Sequence, residues 1–491
     1  MAISVERRIL GVVLGLGFIY RLLFIAKRQL LTEELLQALV VRADSARAML
    51  AQLSGGTILP TPLDPLIQRS VIFLMGESAW SLRIHAVAFG TLSLWLCFRI
   101  AKFLFGSRVA LYTAVLFAFY PLHLHYSQQG SPYALTTFLA LLSYDLLLRL
   151  VSRTRVDWRG WLAWACVQIL LLFSGLAGVA VLFSQAAAMI VSLIRKTGPG
   201  AGAKMGADAG DAPDLPGPAA ASVLAFASGA IVALVFFFPW VHSVWTGHYS
   251  AHPEGLNFRL ILRIVKELGD GSYPFSAVMI IGAATGVTAL VRHGKRSSLF
   301  WLVCWVVFPF PVIYLMDRWA GAALTMGQVL SCTPPLLLIA GYGLSYVGER
   351  LKILDQLPFQ VSSAALIYAA AFILMSVVIA QSHWRKEPVD WQGAARYLQE
   401  TVRQGDALTV PAGFPLLEYY APSLAGFGTG GMTAGADAVI KDPAARRIVV
   451  CLDSARLAPC ARLRAEAKKD LAWRVRAFTG LTIFTRGESG S

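Results

Sequence analysis

The chain has 491 residues, of which 56% are hydrophobic and only 14% are charged. Soluble globular proteins carry about 25% charged residues, so this composition excludes a soluble enzyme and a disordered chain. It is typical of a polytopic membrane protein with about ten spans. The net charge of +15 would favour a nucleic-acid partner in a soluble chain. Here it has to be weighed against topology, because cytoplasmic loops of membrane proteins collect Lys and Arg.

Eleven apolar stretches follow one another along the chain, each long enough, or nearly so, to cross about 30 Å of hydrocarbon. They occupy residues 9–26, 84–105, 109–125, 133–151, 161–173, 177–194, 219–240, 275–291, 299–316, 329–347 and 361–380. The fifth and sixth are short and lie close together, which predicts either a tight helical hairpin or one long broken helix. The first has no A-x-A cleavage site, so we expect it to be retained as a span.

The basic residues of the short loops predict the orientation of these spans. If the N-terminus is cytoplasmic, most loop cations fall on the cytoplasmic side, as the positive-inside rule requires. Those cations are Arg7, Arg8, Lys102, Arg108, Arg149, Arg153, Arg155, Arg159, Arg195, Lys196, Lys204, Arg292, Lys295, Arg296, Arg350 and Lys352. Much of the positive charge is therefore topological, and we expect no nucleic-acid partner. Eleven spans also predict an external C-terminus, which in a cell with two membranes means an inner-membrane protein with a periplasmic tail.

The spans divide the chain into a transmembrane domain, residues 1–381, and an external domain, residues 382–491. Two segments of the first domain, 27–82 and 246–274, are too long for turns and lie on the external side. Their apolar spacing is typical of amphipathic helices at the membrane surface. Residues 197–218 are rich in Gly, Ala, Pro and Asp, which predicts a disordered cytoplasmic linker.

The C-terminal segment has the pattern of a small α/β domain. Helical spacing is found over residues 391–404 and 456–470, and short apolar runs over 407–410 and 448–452 predict buried strands. Residues 474–478 and 481–484 predict a hairpin around Thr479-Gly480. Asp390 precedes the first helix and is expected to be its N-cap. Cys451 and Cys460 are either a disulfide or two free thiols, and none of the six cysteines has metal-ligand spacing.

Polar and aromatic residues gather at the predicted external ends of the spans. They are Glu33, Glu34, Arg83, His123, His125, Tyr126, Ser127, Gln128, Gln129 and Tyr133. Such a group suits a lipid phosphate ester presented from the bilayer, although aromatic belts and capped helix ends produce the same pattern at any membrane interface. Few ionisable residues lie at mid-membrane, which disfavours a transporter. Asp145 and Arg99 are at similar depth and are expected to form a structural pair.

Four motifs, in this order, resemble those of GT-C glycosyltransferases, with the protein O-mannosyltransferases and the aminoarabinose-lipid A transferases as close relatives. Residues 61–66, TPLDPL, resemble the family's "hPPLyyl", and residues 81–90, SLRIHAVAFG, resemble "alRlpsalfG". Residues 120–135, YPLHLHYSQQGSPYAL, resemble "sPlhlyySqeaRpYaL". Residues 390–398, DWQGAARYL, resemble "dWRgaaayL". The resemblance covers most of the chain and implies a polytopic α-helical GT-C-like fold of about eleven transmembrane helices with a small external α/β C-terminal domain.

In that superfamily a polyprenyl-phosphate sugar enters from the bilayer as the donor. An Asp of the first external loop, usually within W-x-D-E, acts as general base on the acceptor, and cations hold the donor phosphate. The resemblance therefore implies a polyprenyl-phosphate sugar and membrane lipid as partners, and a glycan, lipid or protein as acceptor. It implies no cofactor besides the lipid-linked donor and no metal.

The sequence departs from the family pattern at three places. Residues 30–34, LLTEE, stand where W-x-D-E is expected, which leaves Glu33 and Glu34 as the candidate bases. The Arg of "eaRpY" is missing at Ser131, and the Arg of a late "RYl.p.lP" motif is missing from residues 327–335, GQVLSCTPP. The candidates for donor binding are Arg83, His123, Tyr126, Gln128, Gln129, Tyr133, Arg259 and Lys266, and Arg263 and Arg318 are further possible phosphate contacts.

Three functions remain open at this point. The favoured function is an enzyme that moves a sugar from a polyprenyl-phosphate donor to an acceptor at the outer face of the membrane. The alternative is a catalytically silent GT-C subunit or scaffold that works with other membrane proteins. A transporter of lipid-linked sugars is the least favoured.

Overall fold

In the computed structural model, the described residues are 2–27, 30–54, 61–153, 155–197, 219–246, 258–320, 326–350, 363–385, 389–403, 406–410, 417, 419–427, 447–452, 458–468 and 473–486. They form two compact units. The transmembrane unit contains Met1–Ile25 and Asp44–His383, and the C-terminal unit contains Ala26–Ala43 and Trp384–Ser491. The predicted linker lies outside the described residues from residue 198 to its end, as does part of the second external loop.

The transmembrane unit is built from α-helices. Its helices are α1 (Ala2–Leu22), α3 (Ala46–Ser54), α4 (Leu63–Met75), α5 (Ala79–Phe105), α6 (Ser107–Ala118), α7 (Pro121–Ser127), α8 (Tyr133–Val151), α9 (Trp158–Ser174), α10 (Ala177–Thr197), α11 (Ala220–Thr246), α12 (Phe258–Leu268), α13 (Tyr273–Arg292), α14 (Arg296–Val307), α15 (Pro309–Ala320), α16 (Met326–Val329), α17 (Pro334–Arg350) and α18 (Ser363–Arg385). A short 3₁₀ turn, Leu330–Cys332, joins α16 to α17.

Each of the eleven apolar stretches coincides with one of these helices or with a pair of them. Among the described residues, seven helical segments are long and apolar enough to cross a membrane, or eight if the bent pair α6 and α7 counts as one span. The stretches that fall short are α1, which carries charged residues near its start, and α9 and α17, which have 17 residues each. The fifth and sixth stretches are separate helices, α9 and α10, as the hairpin alternative expected.

The third stretch is bent by 60° between α6 and α7. Pro121 is the first residue of α7, and Tyr120 before it has extended backbone angles. A proline disfavours helical angles at the residue that precedes it, so the sequence YP breaks the span at this point. The break places the polar residues of α7 on a helix with its own direction.

Close helix packing and buried pairs hold the transmembrane unit together. Side chains at Gly282 and Gly286 on α13 would collide with residues of the neighbouring helices, so small residues let the helices approach closely here. Asp145 binds Arg99 at 2.8 Å and Arg149 at 2.9 Å. The expected structural pair of Asp145 and Arg99 is thereby confirmed, with Arg149 as a second cation.

The C-terminal unit contains a four-stranded sheet of order β1-β2-β4-β3. Its strands are β1 (Ala407–Thr409), β2 (Arg447–Leu452), β3 (Trp473–Phe478) and β4 (Leu481–Arg486), and its helices are α2 (Thr32–Val41), α19 (Trp391–Thr401) and α20 (Ala458–Ala467). Strands β1 and β2 are parallel and the other pairs antiparallel. The predicted hairpin at Thr479-Gly480 is confirmed, and Asp390 caps α19 by accepting from the Gly393 N–H at 2.8 Å.

Two features of the C-terminal unit settle or extend the sequence predictions. Cys451 and Cys460 form a disulfide, so the disulfide alternative is the observed one. The unit also includes α2 from the first loop, which the sequence did not predict. Arg42 just after α2 stacks 3.9 Å above the Tyr419 ring and donates to the Tyr419 carbonyl at 3.2 Å.

Candidate functional site

An open cleft in the transmembrane unit brings three of the family-like motif segments together. It is lined by Thr61, Pro132, Tyr133, Thr136, Thr137, Ser174, Gly175, Leu176, Ala177, Gly327, Gln328 and Ser331. Thr61 comes from the first-loop motif, Pro132 and Tyr133 from the 120–135 motif, and the last three residues from the late motif. Segments that are distant in sequence therefore meet at one place.

The polar groups of the cleft are hydroxyls and one amide. Among the residues that the structure describes, none that lines the cleft is Lys, Arg, Asp or Glu. This surface can form hydrogen bonds with the hydroxyls of a sugar, but it offers no side-chain charge to offset that of a phosphate. The chemistry of the cleft thus matches the loss of the two motif arginines in the sequence.

Packing at Gly327 explains why an arginine is absent there. A Cβ atom at this position would collide with the ring of Tyr133. Tyr133 is buried, and its ring lies 4.9 Å from that of Tyr126, so the ring has little room to withdraw. The ring therefore occupies the space that a side chain at 327 would need.

The polar residues around α7 form a second site at the end of α1. Arg21 is fully buried. Its guanidinium donates to the Gly17 carbonyl at 2.9 Å, to the Ala118 carbonyl at 3.3 Å and to His123 Nδ1 at 3.0 Å. The helix break at Tyr120 leaves two of these acceptors, the Ala118 carbonyl and His123, within reach of Arg21.

Gln128 and Arg83 also bind the end of α1. The Gln128 amide nitrogen lies 3.2, 3.2 and 3.0 Å from the carbonyl oxygens of Tyr20, Arg21 and Leu23. Arg83 on α5 donates to the Ile25 carbonyl at 2.6 Å. The last carbonyls of a helix have no partner within the helix, so these side chains satisfy them. Of the predicted donor-binding residues, Arg83, His123 and Gln128 are thus brought together here.

The remaining predicted donor-binding residues lie elsewhere. Gln129 is buried beside this network, and Tyr126 packs edge-on against Tyr133 at the cleft. Lys266 on α12 is exposed, with its ammonium 5.9 Å from the Tyr273 ring centre. Arg259 begins the same helix, and its side chain is not among the described ones.

The two predicted bases, Glu33 and Glu34, occupy the first turn of α2 in the C-terminal unit and differ in environment. Glu34 is buried, and its carboxylate accepts from the Leu31 N–H at 2.8 Å, as in a capping box. Glu33 is exposed at the surface. Crowding by surrounding protein still partly desolvates it, and this desolvation, followed by repulsion from Glu34, raises the pKa of Glu33 above its ordinary value. Of the two carboxylates, Glu33 is thus the exposed one, and Glu34 is the one bound to the main chain.

A buried His–Asp pair joins the first-loop motif to α5. Asp64 and His85 are both nearly inaccessible, and His85 Nε2 lies 3.2 Å from Asp64 Oδ1. The pair fixes α4 against α5 together with Gln68, whose amide donates to the Leu82 carbonyl at 2.8 Å. The sequence analysis did not single out either residue, because each lies within a motif that was compared with the family only as a complete segment.

A second polar cluster, also missed by the sequence, combines His125, Asp270 and His383. Asp270 lies in the turn between α12 and α13, and His383 lies near the end of α18. Asp270 Oδ2 is 2.9 Å from His383 Nε2, and Asp270 Oδ1 is 3.7 Å from His125 Nδ1. No spacing signal connects these residues. Only a prediction that all three segments end on the same side could have suggested the cluster.

Comparison with known proteins identifies the fold. Residues 60–203 match the family described as dolichyl-phosphate-mannose-protein mannosyltransferase. The whole chain superimposes on ArnT from Cupriavidus metallidurans in the apo state, with a TM-score of 0.61, 14% identity and coverage of 99% of both chains. A second ArnT structure, bound to undecaprenyl phosphate, also gives 0.61 and 14%, over 100% of this chain and 99% of that one.

Two further GT-C glycosyltransferases are similar in structure. The oligosaccharyltransferase AglB from Archaeoglobus fulgidus, in complex with an inhibitory peptide and a dolichol-phosphate, gives a TM-score of 0.56 at 11% identity, over 98% of this chain and 74% of that one. The arabinofuranosyltransferase AftD from Mycobacteria gives 0.54 at 15% identity, over 98% of this chain and 40% of that one. No curated protein sequence matches the chain.

These similarities establish the fold. The chain has the GT-C fold of multi-pass membrane glycosyltransferases, with a small mixed sheet in its C-terminal part. Within that class, the full-length correspondence is with ArnT, and the sequence match over residues 60–203 is with the mannosyltransferases. The resemblance proposed from the four motifs is thereby confirmed.

Proposed function

We propose that the protein transfers a sugar from a polyprenyl-phosphate donor to a glycan, lipid or protein acceptor at the outer face of the membrane. The observation that carries the proposal is the meeting of three motif segments in one cleft, in a fold shared from end to end with ArnT. One ArnT structure holds undecaprenyl phosphate, and one AglB structure holds a dolichol-phosphate with a peptide. Both support a lipid-linked donor.

The proposed topology has eleven spans, a cytoplasmic N-terminus and an external C-terminal unit, which is periplasmic in an inner-membrane protein. Two observations support it. The cations of the short loops cluster on one predicted side. The disulfide between Cys451 and Cys460 is of a kind that persists in oxidising compartments and is rare in the cytosol.

The proposed reaction is a displacement at the anomeric carbon of the sugar. The acceptor oxygen or nitrogen forms a bond to this carbon while the bond from the carbon to the phosphate oxygen breaks, and polyprenyl phosphate leaves with that electron pair. The acceptor proton passes to a base, for which we propose Glu33. A raised carboxyl pKa makes the carboxylate a stronger base. The donor is the only co-substrate that the reaction requires.

A catalytically silent relative is the second candidate, and the composition of the cleft favours it. No lining residue in the described part of the chain carries a charge, and Arg83 already donates to a main-chain carbonyl. A phosphate leaving group would then need a cation from another part of the protein. This second function predicts that the protein binds a lipid phosphate but transfers nothing.

One experiment separates the two functions. The full chain in nanodiscs would be incubated with radiolabelled polyprenyl-phosphate sugars and membrane acceptors, and released polyprenyl phosphate and labelled product would be measured. We expect release to depend on both acceptor and protein. The Glu33→Gln variant should be slower by about 10²–10⁴-fold, the usual contribution of a general base, while Glu33→Asp retains part of the rate.

The pH profile adds a second readout. Because the pKa of Glu33 is raised, its ionised fraction falls as pH drops through that raised value. The rate of the parent protein should therefore decline on the acidic side at a higher pH than an ordinary Glu would give, and Glu33→Gln should lose this limb. Binding without release for every donor would establish the silent function, and equal rates for parent and Glu33→Gln would remove Glu33 as the base.

A further inference from the structure

Three side chains with metal-binding atoms converge in the transmembrane unit. They are the imidazoles of His125 and His383 and the carboxylate of Asp270. One ligand atom from each lies within 4.8 Å of the other two, and the two imidazole rings meet edge to face with centroids 4.5 Å apart. Among the described residues, this is the only group of three or more His, Cys, Asp or Glu side chains so arranged.

The types of these atoms suit a tetrahedral ion. Zn²⁺ binds His nitrogen and carboxylate oxygen at about 2.0–2.2 Å, so neighbouring ligand atoms of a tetrahedral site lie about 3.3–3.5 Å apart. One ligand atom from each residue lies within 4.8 Å of the other two, so an ion would have to draw the three atoms together to reach this spacing. The two imidazoles now contact different oxygens of Asp270, His383 at 2.9 Å from Oδ2 and His125 at 3.7 Å from Oδ1. Two nitrogens and one oxygen suit Zn²⁺, whereas Mg²⁺ and Ca²⁺ prefer sites made only of oxygen.

The fold fixes the three ligands from separate elements. The turn that carries Asp270 is held by the Tyr120 hydroxyl, which donates to the Leu268 carbonyl at 2.8 Å. Asp270 has a left-handed backbone conformation with φ of 51°, and Gly271 after it has φ of 88°. A left-handed non-glycine residue costs conformational energy and persists only where its surroundings hold it. The cluster is therefore built into the fold and is not a chance meeting of surface side chains.

The cluster is partly shielded from solvent and still open to a small ligand. The side chain of His125 is 18% exposed, that of His383 is 16% exposed and that of Asp270 is 6% exposed. His125 contacts the Tyr126 ring at 5.2 Å, and Tyr126 contacts Tyr133 at the cleft. The cluster thus lies beside the cleft, from which it is separated by aromatic rings.

We propose that His125, Asp270 and His383 bind a divalent metal ion of the zinc type, with a fourth position left for water or an anionic oxygen. Three protein ligands with one open position are the arrangement of zinc sites that exchange a ligand, whereas structural zinc sites use four protein ligands. The motifs implied no metal, because none of the three residues belongs to a metal-binding spacing in the sequence. The competing interpretation is a carboxylate shared by two histidines without any ion.

The test measures metal binding by the full chain in detergent or nanodiscs, with no sugar transfer involved. After treatment with a chelator, the protein would be titrated with ZnCl₂, and its stoichiometry measured by mass spectrometry of the metal. Titration with CoCl₂ would add the visible absorption bands of tetrahedral Co²⁺. We expect one equivalent of metal and a tetrahedral spectrum from the parent protein.

Substitution of each proposed ligand tests where the ion binds. Loss of a metal ligand should weaken metal binding more than loss of a residue that only supports a ligand, which typically costs about 10–100-fold. We therefore expect a larger loss of affinity from each of the variants His125→Gln, Asp270→Asn and His383→Gln. His85→Gln is the matched control, because it removes a buried histidine that also contacts an aspartate but leaves the three ligands in place. If one ligand variant fails to fold, the other two provide the same test. Absence of metal binding in the folded parent, or equal loss in His85→Gln, would overturn the proposal.

Discussion

The end of α1 and the cleft between α8 and α16 are both polar, yet they use polar residues in opposite ways. At the end of α1, Arg21, Arg83 and Gln128 bind main-chain carbonyls. In the cleft, hydroxyls and an amide line an open space. Residue types that often bind phosphate thus hold the fold at the end of α1, while the described side chains that line the cleft carry no charge. Residue type alone does not distinguish a binding residue from a structural one.

The largest effect is expected at the end of α1. Arg21→Met removes three buried hydrogen bonds and leaves acceptors without partners, so it should lower the free energy of unfolding by about 2–4 kcal/mol. The measurement is reversible unfolding of the purified protein in detergent. Arg99→Met is the control and should lose less than about 1 kcal/mol, because Arg99 is partly exposed and Asp145 keeps Arg149. Equal losses in the two variants would show that the hydrogen bonds of Arg21 contribute no more to the free energy of unfolding than the contact of Arg99 with Asp145 does.

An intermediate effect is expected in the cleft. Gly327→Ala places a Cβ against the Tyr133 ring, so overpacking should cost about 1–3 kcal/mol. Gly15→Ala is the matched control, since nothing lies within 4 Å of a Cβ at that helical position. That control should be neutral or slightly stabilising, because alanine favours a helix over glycine by about 0.5–1 kcal/mol. A neutral Gly327→Ala variant would mean that the ring moves freely and that packing does not explain the missing arginine.

The smallest effect is expected at α2. Here the comparison is between two neighbouring carboxylates, Glu34, which binds the main chain, and Glu33, which is exposed. Glu34→Ala removes the capping contact to the Leu31 N–H and should cost about 0.5–2 kcal/mol. Glu33→Ala at the neighbouring exposed position should cost less, because its side chain makes no such contact among the described residues. The readout is the unfolding midpoint of the two variants measured side by side. A larger loss of stability for Glu33→Ala would show that Glu33, and not Glu34, stabilises the start of α2.

Most of the fold could be predicted from the sequence, because it depends on local patterns. Long apolar runs placed the helices, and the turn at Thr479-Gly480 and the N-cap at Asp390 were local signals of the kind that sequence reveals. The inclusion of α2 in the C-terminal unit could not be predicted, because it rests on a contact between Arg42 and Tyr419. These two residues are far apart in the chain.

The site was harder to predict for the same reason. Hydropathy gives the depth of Arg21 in its helix but not its partners at that depth, and the break at Tyr120 provides two of those partners. Asp270 and His383 gave no signal, since a cluster formed by three distant segments leaves no spacing to detect. The motifs did find the residues that meet in the cleft, although they could not show that Tyr133 fills the place of an arginine at 327.

The central claim is that the cleft, and not the end of α1, holds the sugar of a polyprenyl-phosphate donor, with the attached phosphate at the edge of the cleft. The most direct measurement uses a photoactivatable polyprenyl phosphate with its reactive group next to the phosphate, followed by peptide mapping of the full chain. The account predicts labelling in the peptides that contain Tyr133 and Gln328, competed by unlabelled polyprenyl phosphate but not by the corresponding alcohol. Competable labelling found only on peptides outside the cleft, or labelling that the alcohol removes equally well, would contradict it.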